Sequence, residues 1–382
     1  MKSIENLRYK RTLFVGIGGA GNATLSILKQ KIKDANNGKI PGQVKFLLID
    51  TNATELTNLR DFNCNEKICV AVRDPYQRYM KDQGTATHAF IPDRNTPSLL
   101  ALERGAGQIR SNGHFAIIEN QYSNKLMRIF RERADELENI DIQGDTLERD
   151  PKIEVRLVFS LAGGTGSGSF LPIATLLRAA IKHCELTAYI YSATHYERIV
   201  EKSAKKTVMQ NAYAALAEVD YMMHFGMKDR RYEPIKFNFG PHETQQVEQT
   251  NRPFEEVYYI DKYTAMPLSN SIEFAYNELD RMRQNTAEVM HIASTNIISA
   301  HTGVVDNVRQ KIMEGQFNVD DKFAWISGVG LAELYLNRLN KNDEKLIHSC
   351  LNAIEARTDT ETQILNLDEI ATKFIKEFKL NE

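Results

Sequence analysis

Two apolar periods alternate along this chain. Short, continuous β-rich runs at residues 11–16, 44–49, 67–72, 155–160, 186–192, 257–260 and 323–330 are separated by stretches in which apolar residues recur every three or four positions. Continuous runs with helices between them predict a doubly wound, mainly parallel α/β sheet covered on both faces. Helical spacing follows the first run (Leu25, Leu28, Ile32) and the central one (Phe170, Ile173, Leu177, Ile181), and recurs over 117–137, 197–224 and 270–299. The last is the longest, roughly 45 Å at about 1.5 Å per residue, and predicts a helix that passes from one domain to the next. Residues 73–97 and 225–252 read as irregular insertions, 306–314 as a helix, and 331–382 as mostly helical and charged. The expected division is an α/β domain over 1–268, a core helix over 269–299 and a small C-terminal domain over 300–382.

Glycine punctuation changes this picture from fold to chemistry. The central run leads directly into Gly163, Gly164, Thr165, Gly166, Ser167, Gly168 and Ser169 before its helix. Four glycines in six positions let backbone N–H groups approach an anion, the following helix adds its positive end, and the three hydroxyls are further donors. A tight turn needs one glycine, so the stretch reads as a phosphate cradle. It lacks the lysine of a P-loop, since Ser169 stands in that place. After the first run, Gly16, Gly18 and Gly21 match the dinucleotide fingerprint, but the acid expected about 20 residues on is absent. Asp50 instead ends the second run, which places Asp50, Thr51 and Asn52 at the carboxyl edge of the sheet. A metal-bound or ribose-bound Asp50 and a simple strand-end cap both fit. Gly105, Ala106 and Gly107 form a third small-residue loop ahead of a helix.

Composition narrows the partners. With 382 residues, 42% hydrophobic and 26% charged, the chain has the composition of a globular protein with one elaborated domain or two. A formal charge of −2 argues against a nucleic-acid surface. No apolar run is long enough for membrane insertion, and the first residues lack the apolar core of a signal peptide, which predicts a cytoplasmic protein. Cys64, Cys69, Cys184 and Cys350 have no histidine cluster beside them, so they are expected as reduced thiols rather than metal ligands.

The order and spacing of these stretches resemble the tubulin/FtsZ superfamily of nucleotide-dependent filament proteins over residues 11–330. GGTGSG at 163–168 is similar to the family's central phosphate loop, GGAGN at 18–22 to its first loop, IDTNA at 49–53 to the FtsZ segment I-N-T-D-A, and the stretch from Gly105 through Gly113 and Ala116 to the loop around the terminal phosphate. The resemblance implies GTP with Mg²⁺. Gly18, Gly19, Ala20, Gly21 and Asn22 would touch phosphates and sugar. Asp50 or Asn52 would lie near Mg²⁺, Gly105, Ala106 and Gly107 would face the γ-phosphate, and Gly163 through Ser169 would hold the α and β groups. On the core helix Phe274 would stack on guanine, with Asn277 or Glu278 reading its edge, although a buried Phe fits equally. Glu197 would reach the ribose, or stand as an exposed surface glutamate.

Two departures accompany the resemblance. The sixth strand ends in Tyr259, Ile260 and Asp261, where the family has an Asn against the base. The loop after the core helix, which in the family supplies a hydrolytic carboxylate to the neighbouring subunit, is shorter here and holds a single acid, Asp306. Asp306 is thus a candidate catalytic residue, with a helix cap as its other reading. The partner implied is a second copy of the chain, head to tail in an oligomer or filament with GTP hydrolysis at the interface, other protein partners being left open. A nucleotide switch or scaffold that does not polymerise, and an NAD(P)-dependent oxidoreductase using the first glycine motif alone, are the alternatives.

Overall fold

The computed structural model describes residues 8–72, 105–140, 152–194, 196, 199–224, 235–239, 246–261, 272–295 and 326–328. The chain divides at Leu331 into two units, and every described residue lies in the first. Its centre is a sheet of seven strands. In chain order these are β1 (Thr12–Ile17), β2 (Val44–Asp50), β3 (Lys67–Cys69), β4 (Ile153–Ser160), β5 (Cys184–Tyr191), β8 (Glu256–Ile260) and β9 (Ser327–Gly328). Their spatial order is β3-β2-β1-β4-β5-β8-β9, and every pairing is parallel. The order reverses between β1 and β4, the point at which open α/β sheets bind ligands beyond their carboxyl ends. β1 and most of β4 and β5 are buried on both faces, as the continuous apolar runs require.

Helices α1 (Gly18–Ala35), α2 (Ala53–Asn58), α3 (Arg110–Gln121), α4 (Lys125–Glu138), α5 (Gly164–Ala180), α6 (Lys202–Met223) and α7 (Ile272–Ala293) cover the sheet. One core cluster gathers Leu13, Val15, Leu157 and Phe159 of the sheet with Phe115, Phe130, Phe170 and Ile173 of α3, α4 and α5. The other joins Phe14, Phe46 and Val158 to Leu25 and Leu28 of α1 and to Met282 and Met290 of α7. The expected doubly wound α/β architecture is therefore present.

Several elements differ from the sequence reading, each for a local reason. The helix expected over 117–137 is two helices, because Asn124 adopts a left-handed conformation at φ 57° and Gln121 accepts from Met127 N–H at 3.0 Å, so the chain turns between α3 and α4. The helix expected from 197 starts at Lys202. The stretch 225–252 contains an antiparallel hairpin, β6 (Ile235–Asn238) and β7 (Gln246–Gln249). The third strand is shorter than 67–72, although Val70 still donates to Asp50 O. The core helix ends at Ala293, not 299. Ser294 and Thr295 donate their hydroxyls to the carbonyls of His291 and Ile292, a local alternative to continuing the helix. At 22 residues it spans roughly 33 Å. The insertion 73–97 and the helix expected at 306–314 lie outside the described residues.

The far end of α7 is tied to the amino edge of the sheet. Lys10 N donates to Ser294 O at 2.9 Å, Tyr9 bridges Thr295, and the buried guanidinium of Arg156 donates to Ala293 O at 3.1 Å while pairing with Glu154.

Candidate functional site

Two of the glycine stretches are the opening turns of helices, and the third, at Gly105–Gly107, is a turn just ahead of α3. β1 ends at Ile17 and α1 begins at Gly18; β4 ends at Ser160 and α5 begins at Gly164, with Gly163 as its extended N-cap residue. Neither N-cap residue offers a side chain to the first-turn N–H groups. Those donors, which a helix cannot satisfy internally, remain available at the carboxyl edge of the sheet.

They meet in one cleft of about 250 Å³. Gly18, Gly19 and Ala20 form one wall, Gly163, Gly164, Thr165 and Gly166 the second, Gly105 and Ala106 the third, and Asp50 and Asn52 the floor between them. Four of these approaches need glycine, since a Cβ on Gly164 would meet Ile109 N at 2.6 Å and one on Gly166 would meet Ser160 O at 2.7 Å. Gly18 has φ 71° and lies against Gly166, where an added Cβ would sit 3.3 Å from Gly166 N; Gly105 has φ 109°. The remaining candidates lie elsewhere. Gly21, Asn22, Gly107, Ser167, Gly168 and Ser169 do not line the cleft. Ser167 and Ser169 were expected to donate to an anion. Their hydroxyls instead donate to Gly163 O and, at 3.0 Å, to Gly113 O, locking α5 to its own cap and to α3. Gly21 serves packing, because a Cβ there would meet Val158 O at 2.1 Å. Asn22 is buried behind the floor and donates to Asp50 Oδ2 at 3.3 Å and Ile49 O at 3.4 Å. Thr165 points its hydroxyl at Thr51 Oγ1, 2.7 Å away.

Asp50 and Asn52 also have local work. Asp50 Oδ1 accepts from Asn52 N–H at 3.1 Å, and Asn52 Oδ1 caps α2 by accepting from the N–H groups of Thr54 and Glu55. The cap reading of Asp50 thus has a bond behind it, and its second oxygen is bonded to Asn22. Burial pushes the Asp50 carboxyl up to about 6, with the nearby Glu55 charge acting in the same direction.

Residues that the sequence reading passed over complete the lining: Glu55, Gln108, Ser160 and Tyr196. Glu55 had a legible signal, since Asn52-x-x-Glu55 is a capping-box spacing. Its Oε2 lies 3.2 Å from where a Cβ on Gly19 would stand. The Tyr196 hydroxyl is bonded to Ser160 and to Arg283, which brings α7 to the back of the cleft. Glu278 is half-buried on α7 and away from this lining. Glu197, Asp306 and the side chains of Phe274 and Asn277 lie outside the described residues.

A family model described as "Tubulin like" matches residues 13–340, most of the chain and all three glycine stretches. The chain belongs to this tubulin-like family. The resemblance read from the glycine motifs is borne out at that level. Among solved structures, the chain is similar to CetZ from Methanosaeta thermophila strain DSM 6194 at 15% identity, covering 74% of this chain and 52% of that one with a TM-score of 0.41. A GTPγS-form protofilament of Bacillus thuringiensis serovar israelensis TubZ is similar at 14% identity, with coverages of 76% and 57% and a TM-score of 0.41. An empty FtsZ dimer from M. jannaschii is similar at 14%, with coverages of 75% and 56% and a TM-score of 0.39. The matches thus span little more than half the length of those solved chains. No curated protein matches. Among the described residues, no helix of this tubulin-like protein is long and apolar enough to cross a membrane.

Proposed function

We propose that this tubulin-like protein binds GTP with Mg²⁺ in the glycine-lined cleft and hydrolyses it on head-to-tail association with a second copy in the cytoplasm. The observation that carries the reading is convergence: three stretches around positions 18, 105 and 163, far apart in sequence, present backbone to one cleft at the switch point of the sheet. A dinucleotide pyrophosphate uses one such stretch, and the second and third favour a triphosphate.

Charge supports the metal. The described residues lining the cleft include the carboxylates of Asp50 and Glu55 and no lysine or arginine. A triphosphate would be drawn in by helix N-termini and backbone N–H groups, yet repelled by two carboxylates, and a divalent cation between them removes that conflict. Asp50, the more buried of the two carboxylates, is the residue that would hold it. Nucleotide binding should accordingly depend on Mg²⁺. Isothermal titration with GTP, GDP, ATP and NAD, each with Mg²⁺ and with EDTA, tests the reading. Mg²⁺-dependent binding of GTP is expected, and NAD binding without GTP binding would reverse it.

The second reading, a nucleotide-bound switch that neither polymerises nor hydrolyses quickly, draws on the single acid between positions 300 and 311. Light scattering with phosphate release over a concentration series separates the two. A critical concentration supports assembly, and its absence with tight GTP binding supports the switch.

A further inference from the structure

We propose that the open pocket lined by α3, α5, α6 and β6 is a second ligand site, for an uncharged, largely apolar small molecule, and that its occupant stiffens the glycine-lined cleft through Arg110 and Asn211. The cavity measures about 570 Å³, within the range of about 300–1,000 Å³ typical of small-molecule pockets. Leu171 and Pro172 of α5, Met222 of α6, and Ile235 and Phe237 of β6 give it an apolar wall. Hydroxyls of Ser111, Thr207 and Tyr221 supply scattered polar positions, as a site that orients a mainly apolar ligand requires.

The charges in its wall are already matched. Arg110 forms a two-armed ion pair with Glu218 and uses the same guanidinium to donate to Ser167 O, at 3.1 Å from both Nε and Nη2. Burial, with the neighbouring Arg110 charge, pushes the His114 imidazole down to about 4, so it is neutral near pH 7. A charged ligand would lose its hydration here without gaining a counter-ion, whereas a neutral apolar one loses nothing comparable.

The same wall holds the cleft from behind. Arg110 grips the carbonyl of Ser167 in the opening turn of α5, and Asn211 Nδ2 donates to Gln108 O at 2.7 Å and Ala162 O at 3.1 Å. Gln108 and Ala162 both line the glycine cleft. A ligand packed against Arg110 and Asn211 would restrict these two side chains, and with them the backbone of the second and third glycine stretches, a coupling that runs through ordering rather than displacement.

The test uses the full chain and the neutral dye Nile red. Saturable, fluorescence-enhancing binding is expected, lost at least tenfold in Ala217→Trp, which fills the cavity from an exposed position on α6. Thr207→Trp at the rim repeats the test should the first variant lose its native circular dichroism. Tyr213→Ala, on the exposed side of α6 and outside the lining, should leave the dye affinity unchanged. Hydrogen exchange then reads the coupling without any nucleotide: dye saturation should slow exchange of the amides at 105–108 and 162–166 at least threefold in wild type and not in Ala217→Trp. Equal dye affinity in both tryptophan variants and wild type, or loss in Tyr213→Ala, would overturn the site. Unchanged exchange at the glycine stretches with dye bound would overturn the coupling. Because neither readout uses GTP, a failure of GTP binding leaves both arms readable.

Discussion

Asp50 is the residue at which burial and function pull in opposite directions. Its carboxyl is 3% exposed and held up to about 6, against 3.8 ordinarily, first by burial and then by Glu55. Between those values the folded, metal-free protein keeps a proton that the unfolded chain has already released. Stability contributed below about pH 4 is therefore lost as the pH rises through about 6. Two pKa units correspond to about 3 kcal/mol. Asp50→Asn should flatten this decline: denaturant unfolding in EDTA, at about pH 4 and about pH 7, should show wild type losing on the order of 3 kcal/mol more than the variant. Parallel curves would mean that Asp50 titrates as an ordinary carboxylate. Mg²⁺ with GTP reverses the sign, since a cation at the floor favours the charged form, so the same substitution should weaken Mg²⁺-dependent GTP binding at least tenfold while stabilising the empty protein.

At the scale of elements, the opening turn of α5 makes packing demands that differ sharply over a few residues. A Cβ on Gly168 would meet Arg110 O at 2.0 Å, where backbone must move, while one on Gly163 meets nothing within 4 Å at an ordinary extended φ of −82°. Gly168→Ala should lose at least about 2 kcal/mol by overpacking, measured as a shift in urea midpoint, and Gly163→Ala should stay within about 0.5 kcal/mol of wild type. Similar losses in both would mean that the run is chosen for flexibility and not for close approach. This contrast also shows what the sequence could and could not disclose. The central strands and the mainly parallel sheet were legible because strands buried on both faces read as nearly continuous apolar runs. The three glycine stretches were legible as anion-type backbone, since no other residue permits that density of close approach. Helix starts were not: glycine runs carry no apolar period, so Ser167 and Ser169 read as free donors although they face Gly163 and Gly113 inside the packed α5 turn. The break between α3 and α4 was hidden because apolar spacing continues across Asn124, and the β6–β7 hairpin because four-residue strands hold too few alternations to register.

For the whole molecule, the decisive geometry is that α7 leaves the sheet at the edge opposite the cleft. The glycine cleft opens beyond Ile17, the carboxyl end of β1, whereas Ser294 is bonded to Lys10, just ahead of the amino end of that strand. Six strand residues separate those edges by roughly 20 Å. Chain that follows Thr295 therefore sets out from the far side of its own cleft, the side that a head-to-tail neighbour would present to the next cleft. Asp306, eleven residues further on and the sole acid between positions 300 and 311, is the carboxylate we propose for that neighbour's attacking water. Such a group positions the water beside the terminal phosphate and takes its proton, a role often worth about 10²- to 10⁴-fold in rate. The competing role is an N-cap, which Asn fills about as well as Asp. Asp306→Asn therefore separates them: GTP binding by calorimetry and assembly by light scattering should persist, while phosphate release above the critical concentration falls at least tenfold. Mixing should expose the direction of the contact. When Asp306→Asn subunits are titrated into wild type, hydrolysis should fall with the fraction of clefts facing a variant neighbour, whatever cleft carries the GTP. Unchanged release in the pure variant would leave Asp306 with the cap alone, and a loss of GTP affinity in monomeric Asp306→Asn would place it in its own subunit's cleft.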